Sequence, residues 1–274
     1  MKNLIDIILI QESMSNDVKK NLNKLLTAIS KVIVKNTTIV VLHELSYLRY
    51  IAISKDSKNK FLAININSDI IKRVCKLSIS TKIYILFPFY EISRGKFYNT
   101  SIIISPQGKI LSKYRKRNIP SEMCYEEDYY FSSSDNKHSI VNINGYNIGL
   151  MTCWDQWYSN SYYELSKRNV DLILCPTSIG HAYYNQKNIS IKNEKKKWVN
   201  TIVANSLMIN TPVVIANRVG TEFKGNKSIK FWGSSFITNA NGDISFQITN
   251  KKIIHKHTIN LSSKQKYQKA WGFK

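Results

Sequence analysis

At residues 149–158 the sequence reads GLMTCWDQWY. A run of small and apolar residues stops at Cys153, and two tryptophans, an acid and an amide follow. A thiol at the junction of a buried strand and a helical turn has two assets. Free N–H groups at the helix start stabilise a thiolate and lower the thiol pKa. The same groups can hold an oxyanion that develops on an attacked carbonyl. Such a nucleophile also needs a base. Histidine is the usual partner of cysteine, yet none of His43, His138, His181, His255 and His257 is tied to Cys153 by a local motif. A papain-like pair is therefore disfavoured. Taken alone, one cysteine at a strand end is more often a packing residue.

Two further strand ends change that balance. Glu44 ends the apolar run IVVLHEL, and Lys116 stands in KYRKRNIP, just after a strand arm at 109–111. In an α/β fold the carboxyl ends of the strands converge on one edge, where sites are built. A carboxylate, an ammonium and a thiol gathered there form an alternative triad. Glu44 would take the thiol proton, and Lys116 would stabilise negative charge at the attacked carbon. The competing reading is a solvated strand terminus for Glu44 and one more surface lysine for Lys116.

The elements that must position these residues follow from periodicity. LIDIILI reads as a buried strand. Val18, Leu22, Leu25, Leu26, Ile29, Val32 and Ile33 then share one helical face, with Ser15 or Asn16 as the cap. TTIVVLHEL is a second buried strand, ending at Glu44. SDIIKRVCKLSIST is a second helix capped by Ser68, with Cys75 on its apolar face. KIYILFPFYEI and YNTSIIIS are strands, and SPQGK is a hairpin turn. After an irregular polar segment at 118–137, two strands flank Asn144-Gly145. SNSYYELSKRN is a short helix and VDLILCPTS a buried strand. NEKKKWVNTIVANSLMIN is helical, with Trp198, Ile202, Asn205 and Ile209 at spacings of three and four. PVVIANRVG, SSFITNANGDIS and IIHKHTI supply strands or hairpin arms. Alternating βα units with no linker-like break make residues 1–274 one α/β domain.

Composition narrows the function classes. The formal charge is +22, from 40 Lys+Arg against 18 Asp+Glu. The lysines are scattered along the chain. The densest cluster, KNEKKKW at 192–198, is not interleaved with base-stacking aromatics. This favours a compositional bias over a nucleic-acid surface, so no specific nucleic-acid partner is expected. Cys75, Cys124, Cys153 and Cys175 form no C-x-x-C pair, which disfavours a zinc ribbon or a redox motif. The first apolar run is short and broken by Asp6, and no run approaches the ~20 residues of a membrane span. A reducing cytoplasm, with no membrane partner, is the expected location.

The stretches LHELSY, KYRKRNIP and GLMTCWDQWY, in this order, resemble the Glu, Lys and Cys motifs of the nitrilase or carbon–nitrogen hydrolase superfamily. The resemblance is strongest to the N-carbamoylputrescine amidase group. It runs on through CWDQWY, LCPTSIG, VIANRVG and FWGSSFI and covers almost the whole chain. It implies a four-layer α-β-β-α sandwich and a homo-oligomer, a dimer or higher. Glu44 becomes the general base. Lys116 and the backbone N–H of Trp154 hold the oxyanion, and Cys153 forms a covalent intermediate that water resolves. A second glutamate between the Lys and Cys motifs orders the site, and CYEEDYYF places it at Glu127. Trp154 and Trp157 shape the pocket wall, Cys175 is a core residue, and no metal or organic cofactor is implied. The implied substrate is a small molecule with a linear, non-peptide C–N bond, foremost N-carbamoylputrescine, cleaved to putrescine, carbon dioxide and ammonia in polyamine biosynthesis. Cleavage of another small carboxamide or ureido compound, and a non-catalytic binding subunit, are the competing readings.

The sequence departs from the family pattern at several points. Asn118 replaces a His two residues after the lysine, Ser159 and Asn160 replace Pro-Glu, and Lys197 replaces a His before Trp198. Loss of an acid and gain of a lysine make a cationic substrate less comfortable. The chain ends at AWGFK, where relatives continue into an Arg-rich tail, and this bears on oligomer packing.

Overall fold

The computed structural model describes residues 4–272. The tail motif AWGFK therefore lies partly outside the described residues. The first half of the chain builds one sheet and its helices. These are β1 (Leu4–Gln11), α1 (Val18–Ser30), β2 (Thr37–Leu42), α2 (Asp69–Thr81), β3 (Tyr84–Ser93), β4 (Lys96–Ile104) and β5 (Ile110–Arg115). The second half supplies β6 (Ile140–Ile143), β7 (Tyr146–Leu150), α3 (Ser159–Ser166), β8 (Leu172–Thr177), β9 (Gly180–Tyr184), β10 (Lys187–Asn188), α4 (Glu194–Met208) and β11 (Val213–Asn217). β12 (Val219–Lys224), β13 (Lys227–Trp232), β14 (Phe236–Thr238), β15 (Ile244–Gln247), β16 (Ile253–Asn260), which returns to the edge of the first sheet, and α5 (Ser263–Trp271) follow.

Strand order is β16-β1-β2-β3-β4-β5 in one six-stranded sheet and β15-β14-β11-β8-β7-β6 in the other. The pleat explains why these strands read as continuous apolar runs. Alternate residues face opposite sides, and both sides are buried. Ile5, Ile7 and Leu9 of β1, with Ile39 and Val41 of β2, meet Leu172 and Leu174 of β8 and Val214 of β11 between the sheets. The intervening residues turn outward. Ile8, Ile10, Val40 and Leu42 pack against Leu22, Leu25 and Ile29 of α1 and Val74 of α2. On the far side Ile173, Cys175, Val213 and Ile215 pack against Tyr162, Leu165, Trp198 and Ile202 of α3 and α4. The result is a four-layer α-β-β-α sandwich.

Several local features differ from the sequence reading. Asp17, not Ser15 or Asn16, caps α1, because its carboxylate accepts from the Lys20 amide at 2.9 Å. Ser15 instead bonds the Asn21 side chain at 2.9 Å. The helix stops at Ser30, so Val32 and Ile33 leave the shared face, and Ile33 is 74% exposed. β2 ends at Leu42, two residues before Glu44. Cys75 is half-buried against the core rather than enclosed. The buried face of α4 is Trp198, Ile202 and Ser206, because Asn205 and Ile209 rotate to partial exposure. A third sheet, β10-β9-β13-β12, was not expected. Its strands are short and mix polar with apolar residues, so the alternating pattern of a half-buried strand is faint. Gly180 permits it, because a Cβ there would sit 2.3 Å from the Lys230 carbonyl oxygen across the β9–β13 pair.

Strand direction sets up the site. β2 and β3 run parallel. β4 reverses and β5 reverses again, so β5 points the same way as β2. In the second sheet β7 is parallel to β8. Glu44, Lys116 and Cys153 each follow the carboxyl end of one of these strands.

Candidate active site

All four expected polar or nucleophilic residues are buried. Lys116, Glu44 and Glu127 have no exposed side-chain surface, and Cys153 is 3% exposed. Lys116 Nζ lies 2.9 Å from Glu44 Oε1 and 2.6 Å from Glu127 Oε2. Asn99 Nδ2 donates to the same Glu44 oxygen at 2.7 Å, while Glu44 Oε2 is left with no hydrogen-bond partner. Tyr50 donates its hydroxyl to Glu127 Oε1 at 2.5 Å. One ammonium thus bridges two carboxylates, each orientated by a neutral donor.

The loop carrying Glu44 is fixed by a second buried cation. Arg218, directly after β11, donates from Nη2 to the Glu44 carbonyl at 2.8 Å and from Nη1 to Glu222 Oε1 at 2.8 Å. Its Nε donates to Ser178 Oγ at 2.9 Å. The Tyr50 amide donates to Glu222 Oε2 at 2.6 Å, which ties the Glu127 partner to the same network. His43 is not a base here. Its Nδ1 is 3.0 Å from the Glu44 carbonyl, and burial followed by the Arg218 charge holds its pKa well below the ordinary value.

Cys153 opens a short 3-10 turn, Cys153–Trp157, with a φ of +45°, a left-handed conformation rare for a side chain with a Cβ. Asp155 locks this turn. Its carboxylate accepts from the Thr152 amide at 3.0 Å and the Tyr114 hydroxyl at 2.7 Å. The Asn118 amide and side chain donate to its other oxygen at 3.0 and 2.9 Å. Asn118, which departs from the family pattern, therefore still anchors the cysteine turn. The Trp154 amide lies in the first turn, where N–H groups have no intrahelical acceptor.

The electrostatics correct one expectation. The turn does not leave a low-pKa thiol. Burial foremost, then the charges of Glu44 and Glu127, push the Cys153 pKa up, against the opposing pull of Lys116 and the Ser178 amide. The resting thiol is protonated and needs a base. For Lys116, burial opposes the charge, but Glu127, Glu44 and Cys153 outweigh it and hold the pKa well above the usual value. Glu127 is pushed up to about 7, chiefly by burial and by the Glu44 charge, against the opposing pull of Lys116. A protonated thiol beside a carboxylate with a free oxygen, facing a permanent cation, can carry out proton transfer, nucleophilic attack and oxyanion stabilisation in sequence.

A pocket of about 270 Å³ opens onto Cys153. Trp154 lines it, with Tyr125, Ile179 and Ala182, and the Tyr125 hydroxyl both accepts from the Gly180 amide at 3.0 Å and donates to its carbonyl at 2.9 Å. Trp157 does not line this pocket. It sits behind Trp154, ring centroids 6.1 Å apart, and packs against the core beneath α3. Ser159 and Asn160 are also remote from it, lining a separate cavity of about 640 Å³ among α3, α4 and α5. Cys175 is enclosed in the core, and Cys124 is buried with its thiol 3.6 Å from the Tyr183 carbonyl. Among the described residues no group of three or more His, Cys, Asp and Glu side chains is placed to hold a metal ion. No helix among them is long and apolar enough to cross a membrane.

Sequence reasoning missed Tyr50, Asn99, Arg218 and Glu222. Arg218 stood inside the quoted VIANRVG. The available signal was a charged residue directly after an apolar strand, the same signal that marked Glu44.

The carbon–nitrogen hydrolase family profile matches residues 8–269. A citrullinase from Francisella tularensis is 28% identical over 241 residues, 87% of this chain and 82% of that protein. An N-carbamoylputrescine amidase from Arabidopsis thaliana is 26% identical over 211 residues, 75% of this chain and 69% of that one. The crystal structure of a carbon–nitrogen hydrolase from Helicobacter pylori G27 superimposes with a TM-score of 0.89 at 24% identity, covering 98% of this chain and 94% of that one. A member of branch 10 of the nitrilase superfamily from Saccharomyces cerevisiae gives a TM-score of 0.83 at 17% identity, covering 99% and 95%. The fold is thus that of the nitrilase superfamily. With the family profile spanning nearly the whole sequence, the chain belongs to the carbon–nitrogen hydrolase family and is an amidohydrolase acting on C–N bonds.

Proposed function

We propose that the chain hydrolyses the ureido group of N-carbamoylputrescine through a covalent intermediate on Cys153. The observation that carries this reading is the buried Lys116 ammonium shared by Glu44 and Glu127 at the strand ends that also deliver Cys153. Glu44 Oε2 takes the thiol proton as sulfur attacks the ureido carbon. Lys116 and the Trp154 N–H hold the oxyanion. The intermediate collapses, one C–N bond breaks, and the leaving nitrogen takes the proton from Glu44. Water, deprotonated by Glu44, then attacks the thioester-type carbon, the C–S bond breaks, and the thiol regains its proton. The carbamate so released gives carbon dioxide and the remaining amine. Glu127 and Tyr50 keep Lys116 in place throughout.

The ureido assignment is supported by relatives of two kinds, an N-carbamoylputrescine amidase and a citrullinase, whose named substrates share that group. The pocket, at about 270 Å³, lies below the ~300–1,000 Å³ of sites for drug-sized ligands and suits a small substrate. The product would be a diamine, and the place in metabolism that of polyamine formation. Citrulline is the second reading, favoured by the longer match to the citrullinase. Ammonia release from N-carbamoylputrescine, citrulline, N-alkylureas and aliphatic carboxamides tests both. Turnover led by a ureido compound is expected. Turnover of carboxamides alone would replace the reading with a simple amidase, and no turnover of any would favour a binding subunit.

A further inference from the structure

The lining of the Cys153 pocket contradicts the composition of the chain. The whole sequence carries 40 Lys+Arg against 18 Asp+Glu. Among the twelve residues that line the pocket there is no lysine or arginine, and there are two glutamates, Glu122 and Glu194. Glu122 is exposed, whereas Glu194 is half-buried at the first position of α4. Glu194 Oε2 has no hydrogen-bond partner. No ion pair joins Glu194 to the lysines that follow it, among the described residues. Lys195 and Lys196 do not line this pocket; they share with Glu194 and His181 a neighbouring cavity, so Glu194 stands on the wall between the two. Lys197 acts on Glu194 only through its charge. The Glu194 carboxylate is hydrogen-bonded to Ser190, but its buried Oε2 is left unpaired, and that oxygen carries a desolvation penalty that a bound cation would reduce. The rest of the lining is largely apolar, with Met123, Ile179, Ala182, Ile189 and Ile191. That surface fits a short polymethylene chain.

We propose that Glu194 is the specificity determinant of this pocket, binding a primary ammonium at the far end of a short aliphatic chain whose other end is presented to Cys153. The proposal rests on the ureido-hydrolase reading and deepens it. It separates the two candidate substrates. N-carbamoylputrescine offers an ammonium and no acid. Citrulline adds a carboxylate, which would meet two glutamates and no cation in the pocket, a like-charge pairing that discriminates against it. It also reverses the expectation that the loss of an acid and the gain of a lysine disfavour a cationic substrate. Lys197 stands outside the lining, and Asn160 faces a different cavity.

The test uses wild type and Glu194→Gln, a substitution that keeps length and helix propensity but removes the charge. Steady-state kinetics are measured on N-carbamoylputrescine and on N-butylurea, its neutral counterpart, and calorimetry follows binding of putrescine, which needs no turnover. The expected result is a KM for N-carbamoylputrescine raised ~10–100-fold in Glu194→Gln with kcat little changed, and unchanged parameters for N-butylurea. Putrescine binding should weaken by a similar factor. Equal losses on both ureas, or putrescine binding that is the same in both proteins, would overturn the role of Glu194. If neither urea is turned over while putrescine binding still depends on Glu194, the ammonium site stands and the ureido reaction falls.

Discussion

Replacing Lys116 by Met removes the cation from a cluster that holds two carboxylates and a thiol within one dry volume. The magnitude follows from the geometry. At an effective dielectric of about 20, charges 2.9 and 2.6 Å apart attract by roughly 6 kcal/mol each. Much of this offsets the desolvation of the three ions, and breaking a buried pair by deleting one partner costs about 3–5 kcal/mol of stability. The cluster relieves that cost in one way. Glu44 and Glu127, left together without a cation, cannot both stay ionised near neutral pH and come to share a proton. Two losses in turnover then combine. The oxyanion loses its charged partner, worth about 2.7–4 kcal/mol or 10²–10³-fold in kcat by comparison with other oxyanion donors. The base is also part-protonated before the reaction starts. Lys116→Met should therefore lose at least ~10²-fold in kcat. Glu44→Gln should fail for a different reason, since it cannot accept the thiol proton, and the double variant should be little worse than either single one. Ammonia release, with circular dichroism and thermal melting to verify folding, decides the matter. A folded Lys116→Met protein with near-normal turnover would refute the reasoning.

Three further outcomes follow from the structure. Glu127 titrates near 7 in the folded protein, so wild-type activity should fall as pH drops through about 7, and Glu127→Gln, a fixed mimic of the protonated form, should be weakly active and lack that limb. The same shift has a stability sign. The folded state binds a proton that the unfolded state releases, so this group's contribution is full below the ordinary carboxylate pKa of 4.5 and is lost as pH rises through about 7. Denaturant unfolding should show Glu127→Gln gaining on wild type over that interval. Gly180→Ala should cost about 1–3 kcal/mol and widen or misplace the Ile179–Ala182 wall, because its Cβ would meet backbone atoms of Lys230 and Phe231 that cannot swing away. A Gly180→Ala melting temperature equal to wild type would contradict the observed β9–β13 packing.

The two central sheets and the three strand-end residues were legible because each rests on a strong local signal. Four buried strands read as β-branched runs, and Glu44, Lys116 and Cys153 interrupt or follow such runs. Glu127 came only through resemblance. It lies in an irregular segment, and its burial depends on Tyr50 and Lys116, which are 77 and 11 residues away. The third sheet was illegible because lysines occupy its exposed face and it pairs β9 with β13 across a gap that no turn signal marks. Trp154 and Trp157 share one motif and, three residues apart in a 3-10 turn, one side of it, with ring centroids 6.1 Å apart, so the motif alone did not tell that only Trp154 reaches the pocket. The raised Cys153 pKa was hidden for a related reason. Proximity to a helix start suggested a thiolate, while the folded chain places two carboxylates and full burial around the sulfur.

The most direct test is the mass of the intact protein, acid-quenched during turnover of N-carbamoylputrescine. Wild type should carry one adduct that peptide mapping places on Cys153. Its mass should be about 43 Da if the amine leaves first, or about 114 Da if ammonia does. Cys153→Ala should carry none and release no ammonia, while Cys175→Ala should behave as wild type. Ammonia release that persists in Cys153→Ala, or an adduct mapped to Cys75, Cys124 or Cys175, would contradict the assignment of the nucleophile.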